Sequence, residues 1–245
     1  MALPTIATPT YTLKVPSTNK SISYRPFLVK EEKVLLMALE SENEMDMAKA
    51  MKSAIHSCVN TEGFDVNVMA LFDMEYIFLN IRAKSVGEVA EPSVECKKCK
   101  EEIKFSVDLT KVKVKKDRKH KKDIKLTDKI GVMMRYPDID TVAKYEPKVD
   151  DNGATVEGES AVDSLFAMIR DSIDTIWDGE ELHSTKDYTV EEVETFLNSI
   201  DSTNFAKIQN FFETMPKLEH TVKYKCEKCE EEGETTLTGL QDFFF

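Results

Sequence analysis

Apolar residues recur every three or four positions over two stretches of this chain and alternate every second position around them. From Lys30 to Ala83 the period is helical. Val34, Leu35, Met37 and Ala38 predict a short helix, and Met45, Ala48, Met51, Ala54, Ile55 and Cys58 predict a second. A third follows the turn at Asp65-Val66-Asn67, with Leu71, Met74, Phe78 and Ile81 on one face and Phe72, Tyr76 and Leu79 beside them. A helix apolar nearly all round belongs at the centre of a core, or else lends half its surface to a partner. From Ala161 to Met215 the helical period returns. Val162, Leu165, Phe166, Ile169 and Ile173 form one stripe, and Phe205, Ile208, Phe212 and Met215 form another that Pro216 ends. Between them Thr189 and Glu192 make a capping box ahead of Val193, Phe196 and Leu197.

Alternation marks the strands. Lys104 to Val114 reads as one, and Ile130, Val132, Met134 and Tyr136 as another that Pro137 stops. Residues 1–29 are extended, because Pro4, Pro9, Pro16 and Pro26 deny helix and remove ladder donors. They predict an N-terminal arm or edge strand lying on its own body or on a neighbour. Residues 146–160 have no periodicity and read as a linker. The expected segments are the arm (1–29), a helical block (30–88), strands (89–145), the linker, a second helical block (161–216) and a β-type tail (217–245). Phe243-Phe244-Phe245 in that tail would be costly in water and are expected to be packed.

Charge narrows the function. The formal net charge is -12, which favours solubility and opposes general affinity for nucleic acid or anionic membrane. Between Lys111 and Lys129, ten Lys or Arg face three Asp, but no aromatic residues interleave, so a solvated connector outweighs a nucleic-acid site. No apolar run reaches the roughly 20 residues a membrane span needs. The first ten residues have no export pattern, so a cytoplasm with reduced thiols is expected. Phosphate loops, nucleophile elbows and zinc-protease helices are all missing, and His56, His120, His183 and His220 stand apart. The chain reads as a non-enzyme with no small-molecule substrate.

Chemistry gathers at two Cys-x-x-Cys knuckles, Cys96-Lys97-Lys98-Cys99 and Cys226-Glu227-Lys228-Cys229. Each is entered and left by β-type sequence, as in the two halves of a zinc ribbon held apart by an insertion. Four thiolates on one ion form a closed tetrahedral site that ties chain together and leaves no open position for catalysis. A redox dithiol, an iron–sulfur cluster and a metal-free pair remain alternatives. Cys58 lies on an apolar helix face and reads as a buried thiol, and His220 as a weak substitute ligand. The fold class expected is α+β. It would be a mainly helical body, with a zinc-ribbon-like β module split by a helical insertion and both blocks built around one shared, zinc-stapled sheet.

Two long segments carry a resemblance. Tyr24-Arg25-Pro26-Phe27-Leu28-Val29-Lys30-Glu31-Glu32-Lys33-Val34-Leu35-Leu36 and the run from Phe72-Asp73-Met74-Glu75-Tyr76 to Gly87 resemble the baseplate hub subunit family of T-even-like contractile-tailed bacteriophages. The first knuckle, Lys129-Ile130-Gly131-Val132, Tyr136-Pro137, Phe211-Phe212-Glu213-Thr214-Met215-Pro216 and the second knuckle continue it over roughly residues 22 to 244. The resemblance implies a virion protein of the tail, a component or assembly factor of the baseplate hub that binds other hub and tail proteins. It supplies no catalytic residues. Self-association stays open, and the competing class is a zinc-ribbon factor acting on nucleic acid or transcription.

Overall fold

The computed structural model describes residues 6–41, 43–145 and 160–244. In chain order its first elements are β1 (Tyr11–Lys14), β2 (Ser21–Tyr24), α1 (Val29–Glu40), α2 (Glu44–Cys58) and α3 (Leu71–Ser85). Short strands follow: β3 (Val89–Ala90), β4 (Ser93–Glu95), β5 (Glu102–Lys104), β6 (Val107–Asp108), β7 (Lys113–Lys115), β8 (Asp123–Lys125) and β9 (Ile130–Met134). Then come α4 (Ile139–Tyr145), α5 (Ala161–Asp171), β10 (Ile173–Asp178), β11 (Glu181–Ser184), α6 (Val190–Asn198) and α7 (Ser202–Thr214). The chain ends with β12 (Lys217–Lys225), β13 (Glu232–Thr238) and α8 (Gln241–Phe244). The α+β class holds. The elements gather into two compact units, Met1–Lys115 with Pro216–Phe245, and Lys116–Met215.

In the first unit the N-terminal residues do not run as a single extended arm. β1 and β2 pair antiparallel as a hairpin, with Leu13 opposite Ile22 and both buried. The hairpin lies on its own body. Tyr24 bridges to Val59, the Ser23 amide donates to Thr61 at 2.8 Å, and the Ser17 amide donates to the buried Asp73 carboxylate at 2.9 Å. Burial pushes the Tyr24 hydroxyl up to about 12.

Arg25 then fastens three elements at once. Its guanidinium donates to Glu31 at 2.9 Å in the first turn of α1, to the Ser57 carbonyl at 2.8 Å at the end of α2, and to the Cys58 sulfur. Burial opposes ionisation of Glu31, but Arg25 and the Leu28 amide outweigh it and hold the carboxyl below its usual range. Phe27 packs on Phe78 with ring centroids 5.4 Å apart, and its amide donates to Ser85. Cys58 is fully buried, and desolvation raises its thiol to about 11, as a plain core thiol requires.

α3 is the core helix of this unit. Phe72, Met74, Ile77, Phe78, Leu79, Ile81 and Ala83 are all buried. It lies along β12, β7 and the tight turn at Leu109–Lys111. The one long strand expected from Lys104 to Val114 is broken into β5, β6, that turn and β7, because the chain changes partner at each piece. Phe243 is buried as expected, whereas Phe245 lies outside the described residues.

In the second unit, the expected linker lies outside the described residues except for Ser160, whose side chain caps α5. The insertion is not purely helical. β11, β10, β9 and β8 form a four-stranded antiparallel sheet in that order. Ile124, Val132, Met134 and Ile173 of the strands join Ile169, Leu197, Ile208 and Phe211 of the helices in one core. Ile173, which the sequence places on a helical stripe, begins β10, because α5 stops at Asp171 under the Ser172 cap. The basic stretch is a connector with structure of its own, since β7 and β8 fall within it while its lysines stay exposed. Trp177 packs against Gly131, where any Cβ would sit 2.2 Å from the indole, and its ring nitrogen donates to Asp123.

His120 packs 5.0 Å from Phe211 and has a hydroxyl on each ring nitrogen, Thr214 on Nδ1 and Tyr136 on Nε2, both at 3.0 Å. Two hydroxyl partners suit a neutral ring, which donates from one nitrogen and accepts at the other. Burial lowers the pKa, Lys122 adds to the shift, and Asp117 offsets part of it.

Two outcomes are expected. Arg25→Ala leaves the buried Glu31 with only the exposed Lys30 ammonium at 3.4 Å, so it should cost about 3 kcal/mol in denaturant unfolding, as other broken buried pairs do. For His120 the unfolded ring binds protons more readily than the folded one. Its stabilisation is therefore present above the unfolded value of about 6.5 and lost as pH falls through the lower folded value. Thermal unfolding read by Trp177, the single tryptophan, should shift to lower temperature between about pH 7.5 and 5.5, and His120→Gln should flatten that dependence.

Candidate metal centre

Each knuckle is the tight turn of a β-hairpin. β4 pairs with β5 with Glu95 opposite Glu102, and β12 pairs with β13 with Lys225 opposite Glu232. The residues left between the paired ends are the knuckles, and their backbones repeat bond for bond. The Cys96 amide donates to the Glu101 carbonyl at 2.8 Å, and the Lys100 amide returns to Cys96 at 2.9 Å. In the second knuckle Cys226 donates to Glu231 at 2.8 Å, and Glu230 returns to Cys226 at 2.9 Å. Lys100 and Glu230 hold left-handed backbone, at φ 58° and 57°. Such a conformation is uncommon without glycine, and it reverses each chain so that both cysteines of a pair point the same way.

The two turns face each other. The Cys96 and Cys229 sulfurs lie 3.6 Å apart, as do those of Cys99 and Cys226, and all four fall within 4.8 Å of one another. A tetrahedral ion with thiolate bonds of about 2.3 Å spaces its sulfurs about 3.8 Å apart, so the donor set fits such an ion. Cys96 and Cys226 are fully buried, while Cys99 and Cys229 reach the surface. Val94, Ile103, Phe105 and Tyr224 pack around the sulfurs. Gly233, opposite Tyr224, leaves room for that ring, since a Cβ there would lie 2.8 Å from it.

Electrostatics run through the cluster unevenly. Amide groups of Cys99 and Lys98 donate to the Cys96 sulfur and lower it to about 6. The Glu231 amide favours ionised Cys229, but burial and the three neighbouring sulfurs outweigh it and push that thiol up to about 12. Four sulfurs this close repel one another once ionised, and a cation at their centre relieves that repulsion. Two reciprocal ion pairs cross from knuckle to knuckle: Lys98 to Glu231 at 3.2 Å, and Lys228 to Glu101 at 2.5 Å. The halves are thus related by a local two-fold in sequence, hydrogen bonding and charge.

All four cysteines singled out in the sequence meet here. His220 sits within β12 opposite Leu237 and is not among the clustered ligands. The crossing lysine–glutamate pairs lie outside the sequence expectations. Their signal was available, because Lys98 and Lys228 hold the same place in each knuckle, as do Glu101 and Glu231. Neither cysteine pair opens a helix, which is the setting a thioredoxin-like dithiol uses. Among the described residues no helix is long and apolar enough to cross a membrane.

The segments that carry the resemblance are the clasps of the first unit. Tyr24 to Phe27 bind the hairpin to α1, α2 and α3, Asp73 accepts the Ser17 amide, and Glu75 accepts the Leu240 amide. Burial raises the Glu75 carboxyl to about 7.

Comparison with curated proteins and comparison with solved structures each give no match. The family model described as T4 bacteriophage base plate protein matches residues 8–245, which takes in both compact units and both knuckles. A match over nearly the whole length settles the affiliation, and the chain belongs to the T4 bacteriophage base plate protein family.

Proposed function

We propose that the chain is a structural or assembly component of the central hub of a phage tail base plate. It acts by docking to other hub and tail proteins, with one structural zinc ion held by Cys96, Cys99, Cys226 and Cys229. The family match over residues 8–245 carries the reading. The hub assignment follows the resemblance of the Tyr24–Leu36 and Phe72–Gly87 segments. The protein is proposed to be a non-enzyme, made in the host cytoplasm and taken into the virion tail.

Zinc is the ion favoured by four thiolates in a closed tetrahedron, and iron is its rival with the same ligands. Bound there, the ion would supply folding energy and fix the angle between the β4–β5 and β12–β13 hairpins. The knuckles supply the rest, because their amides orient the sulfurs and the crossing Lys–Glu pairs bring the turns into register.

Two outcomes test this reading. Purified protein should carry one zinc per chain by elemental analysis. Cys226→Ser should lose it together with part of a binding free energy on the order of 10 kcal/mol for structural zinc. Iron in its place, or metal-free protein with an unchanged melting curve in the variant, overturns the zinc assignment. Quantitative mass spectrometry of mature virions should find the chain at a fixed ratio to a tail protein of known copy number. Presence in infected-cell lysate with absence from particles would instead make it an assembly factor. Salt-sensitive DNA binding by the Lys111–Lys129 stretch would favour the nucleic-acid reading.

A further inference from the structure

Of the 12 residues of α1, only Glu31 and Ala38 are buried. Val29 is 80% exposed, Leu36 55% and Met37 60%, with Val34 and Leu39 also open to solvent. At 3.6 residues per turn, Val29, Lys33, Leu36, Met37 and Glu40 share the side of the helix opposite Glu31 and Ala38. Beside this stripe, between α1 and α2, runs an open groove of about 370 Å³ lined by Val34, Met37, Ala38 and Ala50, with Asp46 and Lys49 on its walls. Contiguous exposed apolar surface of this kind marks an interaction site.

The order of charges along the stripe identifies what covers it. Lys33 precedes the apolar centre and Glu40 follows it. When two copies of α1 are laid antiparallel about the midpoint of Leu36 and Met37, Leu36 of each copy meets Met37 of the other. Lys33 then meets Glu40 twice. A parallel arrangement would set lysine against lysine and glutamate against glutamate. The stripe is therefore complementary to itself in one orientation only, as an isologous two-fold contact requires.

We propose that α1 is a self-association surface, through which two copies of the chain pair antiparallel, stripe against stripe. The proposal is independent of the hub and zinc assignments. A 12-residue helix rises about 18 Å and offers less than the roughly 800 Å² per partner of a stable interface. The dimer is accordingly reversible, with dissociation in the micromolar range of about 1 to 100 µM.

Sedimentation velocity of the full chain across that range tests it. The expected result is a concentration-dependent monomer–dimer equilibrium. Leu36→Glu, at an exposed position that leaves the circular dichroism unchanged, should weaken it roughly a hundredfold. Lys33→Glu and Glu40→Lys should each weaken it about tenfold, and the two together should restore it to within about threefold. A wild-type chain that stays monomeric throughout overturns the proposal and leaves α1 for a different protein. A dimer that Leu36→Glu does not dissolve, or a double charge exchange that fails to restore pairing, overturns it as well.

Discussion

Three backbone-paired positions, Lys113–Lys115 of β7 against Lys217–Glu219 of β12, decide where the rest of the first unit can lie. Lys115 faces Lys217, so the chain leaves this unit and returns to it at neighbouring strands, and everything from Lys116 to Met215 is accommodated outside the ladder. Joining distant segments costs loop entropy that rises only with the logarithm of loop length, so a large insertion is affordable once the ladder is made. The same strand, β12, pairs with β13 and runs into the second knuckle, and this places Cys226 and Cys229 within reach of Cys96 and Cys99. The crossing Lys–Glu pairs are exposed and contribute little to stability individually. Backbone pairing brings the knuckles together, and charge refines their register.

Two kinds of residue divide the labour in this unit. Tyr24, Arg25, Phe27, Asp73 and Glu75 turn inward and hold the hairpin and the C-terminal segment against α1, α2 and α3. The inward residues of the segments by which the chain resembles its family are fold determinants, and they say little about which surface meets a neighbour. That surface has to be sought where burial fails, as it does along α1.

The helices were legible because period 3.6 survives in single residues. Val193, Phe196 and Leu197 behind the Thr189–Glu192 box appear as α6, with that box formed, and the apolar run from Leu71 to Ile81 appears as the buried α3. The centre was legible for a different reason: two knuckles in matching β context can serve one ion only if they meet. What escaped was pairing. The β10–β11 hairpin falls inside the block expected to be helical, where Ile173 extends the spacing of Ile169. Yet Asp178-Gly179 between two β-type runs is a turn signal, and Gly179 does adopt φ 62° there. The N-terminal prolines predict an arm or an edge strand. Pro16 in fact lies between strands that pair, and the burial of Leu13 and Ile22 could not be assigned without their partner helix. Partner choice in short strands depends on distant sequence, whereas helical period is local.

The division of the centre between distant knuckles has a consequence for how the protein is made. Cys226 leaves the ribosome 127 residues after Cys99, a delay of about 6 to 25 seconds at ordinary rates of synthesis. For that interval the first knuckle has two sulfurs and no companions, while the whole of Lys116–Met215 emerges and can fold around its own core. Closure of the centre is therefore a late event in the life of the nascent chain. It registers that the intervening unit has been completed, and a chain truncated before Cys226 can never form it.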